Sequence, residues 1–396
     1  MNLIGVDPPI GGIMPNTKIY QLVDAHEKLR SEGLNLIASE NFLSEKVRQA
    51  LASDLGGRYH SDWYGGSKYA CEIIQTTEEL AKKLFKTKHA IVSSLSGNTC
   101  DLAALFTFTQ PGDKIAIMPM SAGGYPLGAA KFDRKAVYLP ARERSFELEV
   151  EPAKEMIQNE QPRLVILGAS YIPFPHPVQE ISEFLQDVDF TTTCVFDGAH
   201  VLGLIACGAF QDPLNEGAEV MFGSTHKSLY GPQGGVMVTN STEHYEALLK
   251  YFEVDIETGI GLVDNPHVNR IAALGVAFEE LLEDQDYGTR VIENAQHLAK
   301  ALDDLGVPIK FKDQGYTRSH QVFIDIDPDR ARNLCHQLET AGIFIDLEAR
   351  LGTAEVTHRG MGTADMEIIA QLLSEAYSNG ISDDIKDRVL ALARDY

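Results

Sequence analysis

The chain predicts an α/β fold, in which a mainly parallel seven-stranded sheet covered by helices precedes a smaller α+β C-terminal domain. Three observations carry this reading. Between His89 and Asn240, short β-branched and apolar runs alternate with helical stretches, the pattern of strand–helix–strand units. After Pro266 a long helical stretch is followed by one alternating strand and two further helices. With 396 residues and 44% hydrophobic content, the chain can bury two cores.

Taken in order, residues 1–15 are rich in Gly and Pro and read as an arm. A helix is expected from Asn16, placed to cap it, through Leu29. The strands of the sheet are expected at 91–95, 114–118, 136–139, 164–167, 194–196, 220–222 and 236–238. A helix over 266–283 links to the second domain, where 321–326 alternates as a half-buried strand and 329–341 and 365–378 have helical spacing. The domain expectation is an arm and helix over 1–30, a large domain over 31–275 and a small one over 276–396.

A net charge of −23 argues against nucleic acid or an anionic membrane as partner. The five cysteines are scattered without CxxC spacing or a metal-like cluster, as in a reduced, cytoplasmic protein. Cys194, inside an apolar run, reads as core packing. No signal peptide is apparent, and no apolar run approaches the ~18 residues of a membrane span.

The chemistry lies at two strand ends. Asp197 closes the run Thr191-Thr192-Thr193-Cys194-Val195-Phe196, so it projects from a carboxyl end, where open α/β sheets bind ligands. Lys227, in Ser224-Thr225-His226-Lys227, follows the short run Val220-Met221-Phe222. A lysine held there among neutral neighbours suits a Schiff base, because desolvation favours the uncharged amine. Alone, each residue has a plainer reading, the Asp as a cap and the Lys as solvated surface. Their company changes this. Gly231-Pro232-Gln233-Gly234-Gly235 gives a close-approach turn after the lysine, and Ser93-Ser94-Leu95-Ser96-Gly97-Asn98-Thr99 places amides and hydroxyls at a helix N-terminus, an anion site. A carboxylate for a pyridine nitrogen, an amine for an aldehyde and a phosphate cradle make a pyridoxal 5'-phosphate (PLP) site.

Asn35-Leu36-Ile37-Ala38-Ser39-Glu40-Asn41, Asp197-Gly198-Ala199-His200, the lysine motif, and Arg350-Leu351-Gly352-Thr353 through Thr357-His358-Arg359-Gly360-Met361 resemble serine hydroxymethyltransferase, with the archaeal branch nearest. The resemblance covers nearly the whole chain. It implies PLP fold type I, with an aspartate aminotransferase-like large domain and one antiparallel strand. It further implies Lys227 as the Schiff-base lysine, Asp197 on the pyridine nitrogen, and His200 and Ser170 near the ring 3-oxygen. Ser96, Gly97 and Asn98 would hold the phosphate, helped by Ser224, His226 and the Gly259 to Gly261 loop of a neighbouring subunit. Arg359 would clamp the substrate carboxylate, with Ser39, Tyr59 and Tyr69 on the substrate side. A homodimer or higher homo-oligomer with shared sites is implied.

Three departures from the family pattern stand out. Where the family has Tyr-Ala-Glu-Gly, this chain has Tyr59-His60-Ser61-Asp62, so His60 and Asp62 are the candidate replacements for the acid/base glutamate. Tyr125 stands where the family stacks a histidine on the cofactor. Between 342–345 and Arg350, only Asp346-Leu347-Glu348-Ala349 remains of a longer pterin-contacting loop. The expected activity is a PLP-dependent hydroxymethyltransferase, aldolase or transaldolase acting on a small β-hydroxy-α-amino acid of the serine/glycine, threonine or α-methylserine type. Weak or no dependence on tetrahydrofolate or tetrahydromethanopterin is expected. A racemase using His60, Asp62 or Tyr125 as second proton carrier is the alternative, and a catalytically impaired PLP-binding paralogue is the alternative from a different class.

Overall fold

A computed structural model describes residues 17–61, 63–142, 145–255 and 257–396. The central sheet has seven strands, β1 His89–Ile91, β2 Lys114–Ile117, β3 Lys135–Tyr138, β4 Leu164–Leu167, β5 Thr193–Asp197, β6 Val220–Ser224 and β7 Gly235–Thr239. Their spatial order is β1-β7-β6-β5-β4-β2-β3. Only β7 runs against its neighbours, while β6, β5, β4, β2 and β3 pair in parallel. Strands β4 to β7 are buried at every position, which explains why they read as continuous apolar runs rather than alternating ones.

Alternation along each strand still divides the core. Val165, Leu167, Phe196, Met221 and Val236 pack on one face, and Ile166, Val195, Val220, Phe222 and Met237 on the other. The strand expected at 91–95 stops at Ile91 because the chain then turns into the cap of the helix Gly97–Phe108, with Ser94 Oγ donating to the Ser96 carbonyl at 2.9 Å.

A third apolar cluster lies in the C-terminal part, where Leu298, Leu302, Leu338, Leu351, Ile369 and Leu372 meet Leu34 and Leu36 from the other end of the chain. The strand Leu34–Asn35 pairs in parallel with Ile343–Phe344, so the segment after the first helix is threaded into this layer. The helix Val268–Glu283 instead buries Ile271, Leu274, Phe278 and Leu281 with the sheet core, as does Val291 beyond it.

The first helix, Lys18–Ser31, is capped by Thr17, whose hydroxyl accepts from Tyr20 N–H at 3.5 Å. Asn16, expected in that role, lies outside the described residues, with the rest of the arm. This helix buries none of its residues, and Ile19, Leu22 and Leu29 stand exposed.

The short connection before Arg350 is a tight turn with its own chemistry. Asp346 accepts from the Glu348 and Arg350 amides at 3.1 and 3.0 Å and from Arg350 Nε at 2.7 Å. These bonds fix the turn in place of a longer loop.

Candidate active site

Strands β4, β5 and β6 end at the same edge of the sheet, and the site forms there. Asp197 is the last residue of β5, opposite Phe222 of β6, and its Oδ1 accepts the Ala199 amide at 2.9 Å. It is buried. Gly168, with φ of 99°, follows β4 so closely that a side chain there would meet the Asp197 carbonyl at 2.0 Å. Close backbone approach and a positive φ both require glycine.

The lysine loop is pinned from several sides. Thr225 N–H donates to the Gly234 carbonyl and Thr225 Oγ1 to the Pro232 carbonyl at 2.6 Å, closing the turn foreseen from its glycines. Asn41 Nδ2 donates to the Lys227 carbonyl at 2.8 Å, and Tyr287 Oη to the Ser228 carbonyl at 3.0 Å. The Lys227 amine itself donates no hydrogen bond among the described residues. Burial pulls its pKa below the usual lysine range, opposed by Asp197 and reinforced by Arg350.

A second buried carboxylate shares this edge. Asp101, on the helix Gly97–Phe108, lines a cavity of about 20 Å³ together with Asp197, Tyr125 and Gly168. Burial first, and the nearby Asp197 second, push its carboxyl well above the carboxylate range, while Asp197 is itself raised by burial. Both carboxyls are thus raised by burial, and each makes ionisation of the other harder. The sequence reading missed it, although a lone acid in Cys100-Asp101-Leu102-Ala103-Ala104 was a signal.

His200 is held in one tautomer. Gln321 Nε2 donates to His200 Nδ1 at 3.1 Å and to the Ser170 carbonyl at 2.9 Å, while its Oε1 accepts Ile172 N–H at 2.8 Å. The ring proton of His200 is thus on Nε2. Burial, then the positive Lys227, hold His200 well below the histidine range, so it is neutral. Ser170 is tied further by Arg350 Nη1, which donates to its carbonyl at 2.7 Å. Gln321, His320 and Arg350 had no role in the sequence reading. His320 bonds the Ala38 carbonyl at 2.9 Å through Nε2, its ring parallel to that of His200.

At the anion end, Ser96 is the N-cap, its Oγ accepting Thr99 N–H at 3.1 Å. Gly97 lies against β6, where a side chain would come within 2.4 Å of Ser224 Oγ. The first helical amides, at Gly97 and Asn98, have no intrahelical acceptor. Tyr125 Oη donates to Asn98 Oδ1 at 3.3 Å, which joins the expected ring-stacking residue to the expected phosphate loop. The buried His226 Nδ1 has no partner, and burial lowers its pKa to about 4.

Arg359 lies in a wide cleft of about 890 Å³ that Asn41, Phe42, His226 and Glu355 also line. Its Nε and Nη2 both donate to Glu355 Oε1, at 3.0 and 2.9 Å, and its guanidinium lies over the Phe42 ring at 4.6 Å. Ser39 is half-buried in the turn after Leu34–Asn35.

The remaining candidates are elsewhere on this chain. Tyr59 is exposed and stacked on Tyr64, with ring centroids 4.7 Å apart. Tyr69, 69% exposed, lines a separate groove between the helices Lys68–Phe85 and Val268–Glu283. His60 Nδ1 is buried without a partner, and burial lowers the pKa of the ring. Asp62 lies outside the described residues. Gly259, with φ of 92°, and Gly261 are exposed, beside the short pair Val254–Asp255 and Gly259–Ile260.

The groups present fit PLP: a buried carboxylate, a half-buried amine that donates no hydrogen bond among the described residues, and an amide-lined helix N-terminus. The comparisons agree. The serine hydroxymethyltransferase family profile matches residues 14–373. Serine hydroxymethyltransferase of Pyrococcus abyssi is 37% identical over 90% of this chain and 89% of its own length. That of Methanothermobacter thermautotrophicus is 35% identical over 96% and 93%. L-threonine transaldolase from Pseudomonas fluorescens, solved in its internal aldimine state, superimposes with a TM-score of 0.85 at 26% identity, covering 95% of this chain and 90% of that one. On the strength of that match across sequence and fold, the chain belongs to the serine hydroxymethyltransferase family.

Proposed function

We propose that the enzyme makes and breaks the Cα–Cβ bond of a small β-hydroxy-α-amino acid, of the serine/glycine, threonine or α-methylserine type, with weak or no dependence on tetrahydrofolate or tetrahydromethanopterin. The chain is a PLP-dependent enzyme of Cα–Cβ chemistry on β-hydroxy amino acids, as its family and its transaldolase neighbour establish. The observation that carries the reading is the half-buried Lys227 amine, unbonded among the described residues, with the buried Asp197 carboxylate at one sheet edge.

Bound there, PLP supplies an electron sink for whichever Cα bond stands perpendicular to its ring. The protein's part is positioning and charge. Lys227, deprived of water, presents a nucleophilic amine and afterwards a base within reach of Cα. Asp197 offers its negative charge to the pyridine nitrogen. Neutral His200, with its proton on Nε2, and Ser170, held by Gln321 and Arg350, serve the ring oxygen. Tyr125, which donates to Asn98, would stack on the ring. The amides at Gly97 and Asn98, with Ser96, Ser224 and His226, receive the phosphate. Arg359 binds the substrate carboxylate and so selects the bond that breaks.

Weak pterin dependence is supported by the short Asp346–Arg350 connection and by Ser61, which stands where the resembled family pattern has its acid/base glutamate. We further propose a large cofactor-binding unit over 31–275 and a smaller C-terminal unit over 276–396, a cytoplasmic location, and a homodimer or larger assembly in which Tyr59, Tyr69, Gly259 and Gly261 serve a neighbour's site. The exposed Trp63, Tyr64 and Tyr69 support the last point. Among the described residues, no helix is long and apolar enough to cross a membrane.

The test is aldehyde release from L-serine and L-threonine by the holoenzyme, with and without each pterin. Release without pterin is expected. Release that strictly requires one would overturn the pterin-independent reading.

A further inference from the structure

The arginine assigned to the substrate carboxylate is not a free cation. Arg359 gives two N–H groups, from Nε and Nη2, to one oxygen of Glu355 at 3.0 and 2.9 Å. The Glu355 side chain is 5% exposed and that of Arg359 18%, so the pair is poorly screened. Both residues sit on one turn, four positions apart, at the short helix Ala354–His358 and its C-cap. Both line the cleft that also reaches His226, the neighbour of Lys227.

We propose that Glu355 is a built-in occupant of the carboxylate clamp, which an incoming amino acid must displace from Arg359, leaving Glu355 protonated. The proposal rests on the reading of Arg359 as the clamp. Its logic is electrostatic. Two carboxylates on one buried guanidinium leave an uncompensated negative charge, and a displaced buried carboxylate without a partner is costlier still. A proton is the neutraliser at hand, because the other charges facing Glu355 are already matched. Arg30, from the helix Lys18–Ser31, is bound to Glu40, and Glu40 itself repels a charge on Glu355. His226 across the cleft and His358 on the same helix are both held neutral by burial. Burial already raises the pKa of Glu355 against the pull of Arg359, so removing that pull raises it further.

The proton balance is simple. One proton passes from solvent to a Glu355 oxygen, forming an O–H bond, as the two Arg359 hydrogen bonds pass to the substrate carboxylate, and no other covalent bond of the protein changes. Amino-acid affinity must then weaken as pH rises, by about tenfold per unit once Glu355 is ionised in the free enzyme. Proton changes at the substrate amine are superimposed, and they are common to wild type and variants.

The test is glycine binding to the holoenzyme, followed by the cofactor's visible absorption across pH and by calorimetry in two buffers of different ionisation enthalpy, which counts protons. Wild type is compared with Glu355→Gln, Glu355→Ala and Arg359→Lys. Both Glu355 variants are expected to bind glycine more tightly, by about tenfold at the alkaline end, with about one proton fewer taken up. Two Glu355 substitutions guard against one failing to fold, and retained visible absorption identifies an intact cofactor site. Weaker glycine binding by the Glu355 variants, or an unchanged proton count, would overturn the proposal and make Glu355 a support that orients Arg359. If Arg359→Lys loses glycine while the Glu355 variants match wild type, the clamp reading stands and the displacement fails. Arg359→Lys binding like wild type would sink the clamp reading itself.

Discussion

The two sides of the active-site region are built in opposite ways. Around Lys227 the groups are buried or half-buried and tied down: Asp197 by Ala199, His200 by Gln321, Ser170 by Gln321 and Arg350, and the lysine loop by Asn41 and Tyr287. Around Tyr59 to Tyr69 the aromatic rings face outward, with Trp63 82% exposed. The first side is tied down by contacts within one chain. The second makes sense as a surface for another copy, since isolated chains rarely expose so many aromatic rings together.

The sharpest way to break this comparison is to remove the amine at its centre. Lys227→Ala is expected to lower Cα–Cβ cleavage by roughly a thousandfold or more, because the nucleophile and the nearby base are lost together. Steady-state aldehyde release measures it, and activity near wild type would contradict the assignment. Asp197→Asn keeps the shape and removes the charge. It should cost roughly a hundredfold in kcat, the scale of a lost preorganised charge, with the visible absorption of bound cofactor retained but shifted.

On the exposed side the expected effects are on assembly. Trp63→Ala and Tyr69→Ala should weaken self-association by about 1–3 kcal/mol each, read by sedimentation across protein concentration. Unchanged association with both substituted would place the interface elsewhere.

The two sides also answer pH differently. His226, His320 and His358, near the lysine, are depressed by burial to about 4, 3 and 4. Below about pH 6.5 the unfolded chain protonates them and the folded one does not, so each removes about 1.4 kcal/mol of stability per pH unit until its folded value is reached. Glu78, on the helix that follows the exposed segment, is raised by burial to about 7. It has the opposite sign, withdrawing stability as pH rises from its unfolded value towards 7, and the raised Asp101, Asp197 and Glu355 share that sign. Glu78→Gln should therefore lose about 1–2 kcal/mol more than wild type between about pH 7 and 5, measured by denaturant unfolding. An equal loss would show that Glu78 is ordinarily solvated.

The smallest expected effect is a null one. Tetrahydrofolate and tetrahydromethanopterin should leave the melting temperature unmoved, since a ligand that does not bind the fold cannot stabilise it. A clear rise with either would show that the Asp346–Arg350 turn leaves room for a pterin.

What the sequence revealed follows the same division. The buried strands were legible because β-branched runs bounded by turns have few other uses, and Asp197 and Lys227 stand at their ends. Strand β1 was overextended because Val92 and the residues after it are as β-prone as those before, and only the Ser96 cap decides where pairing stops. Arg350, Gln321 and Glu355 were silent. Their roles come from tertiary contacts between distant segments, which leave no local period or spacing. Glu355 in particular looks like any helical glutamate until its burial and its Arg359 partner are known.

The most direct test of the central claim is the visible absorption spectrum of the purified protein and of Lys227→Ala, each before and after glycine. The account predicts a protein-bound Schiff-base band in the wild type that changes with glycine, and no such protein-bound band in the variant. Identical spectra from the two proteins would contradict it, because Lys227 could then not be the residue that carries the cofactor.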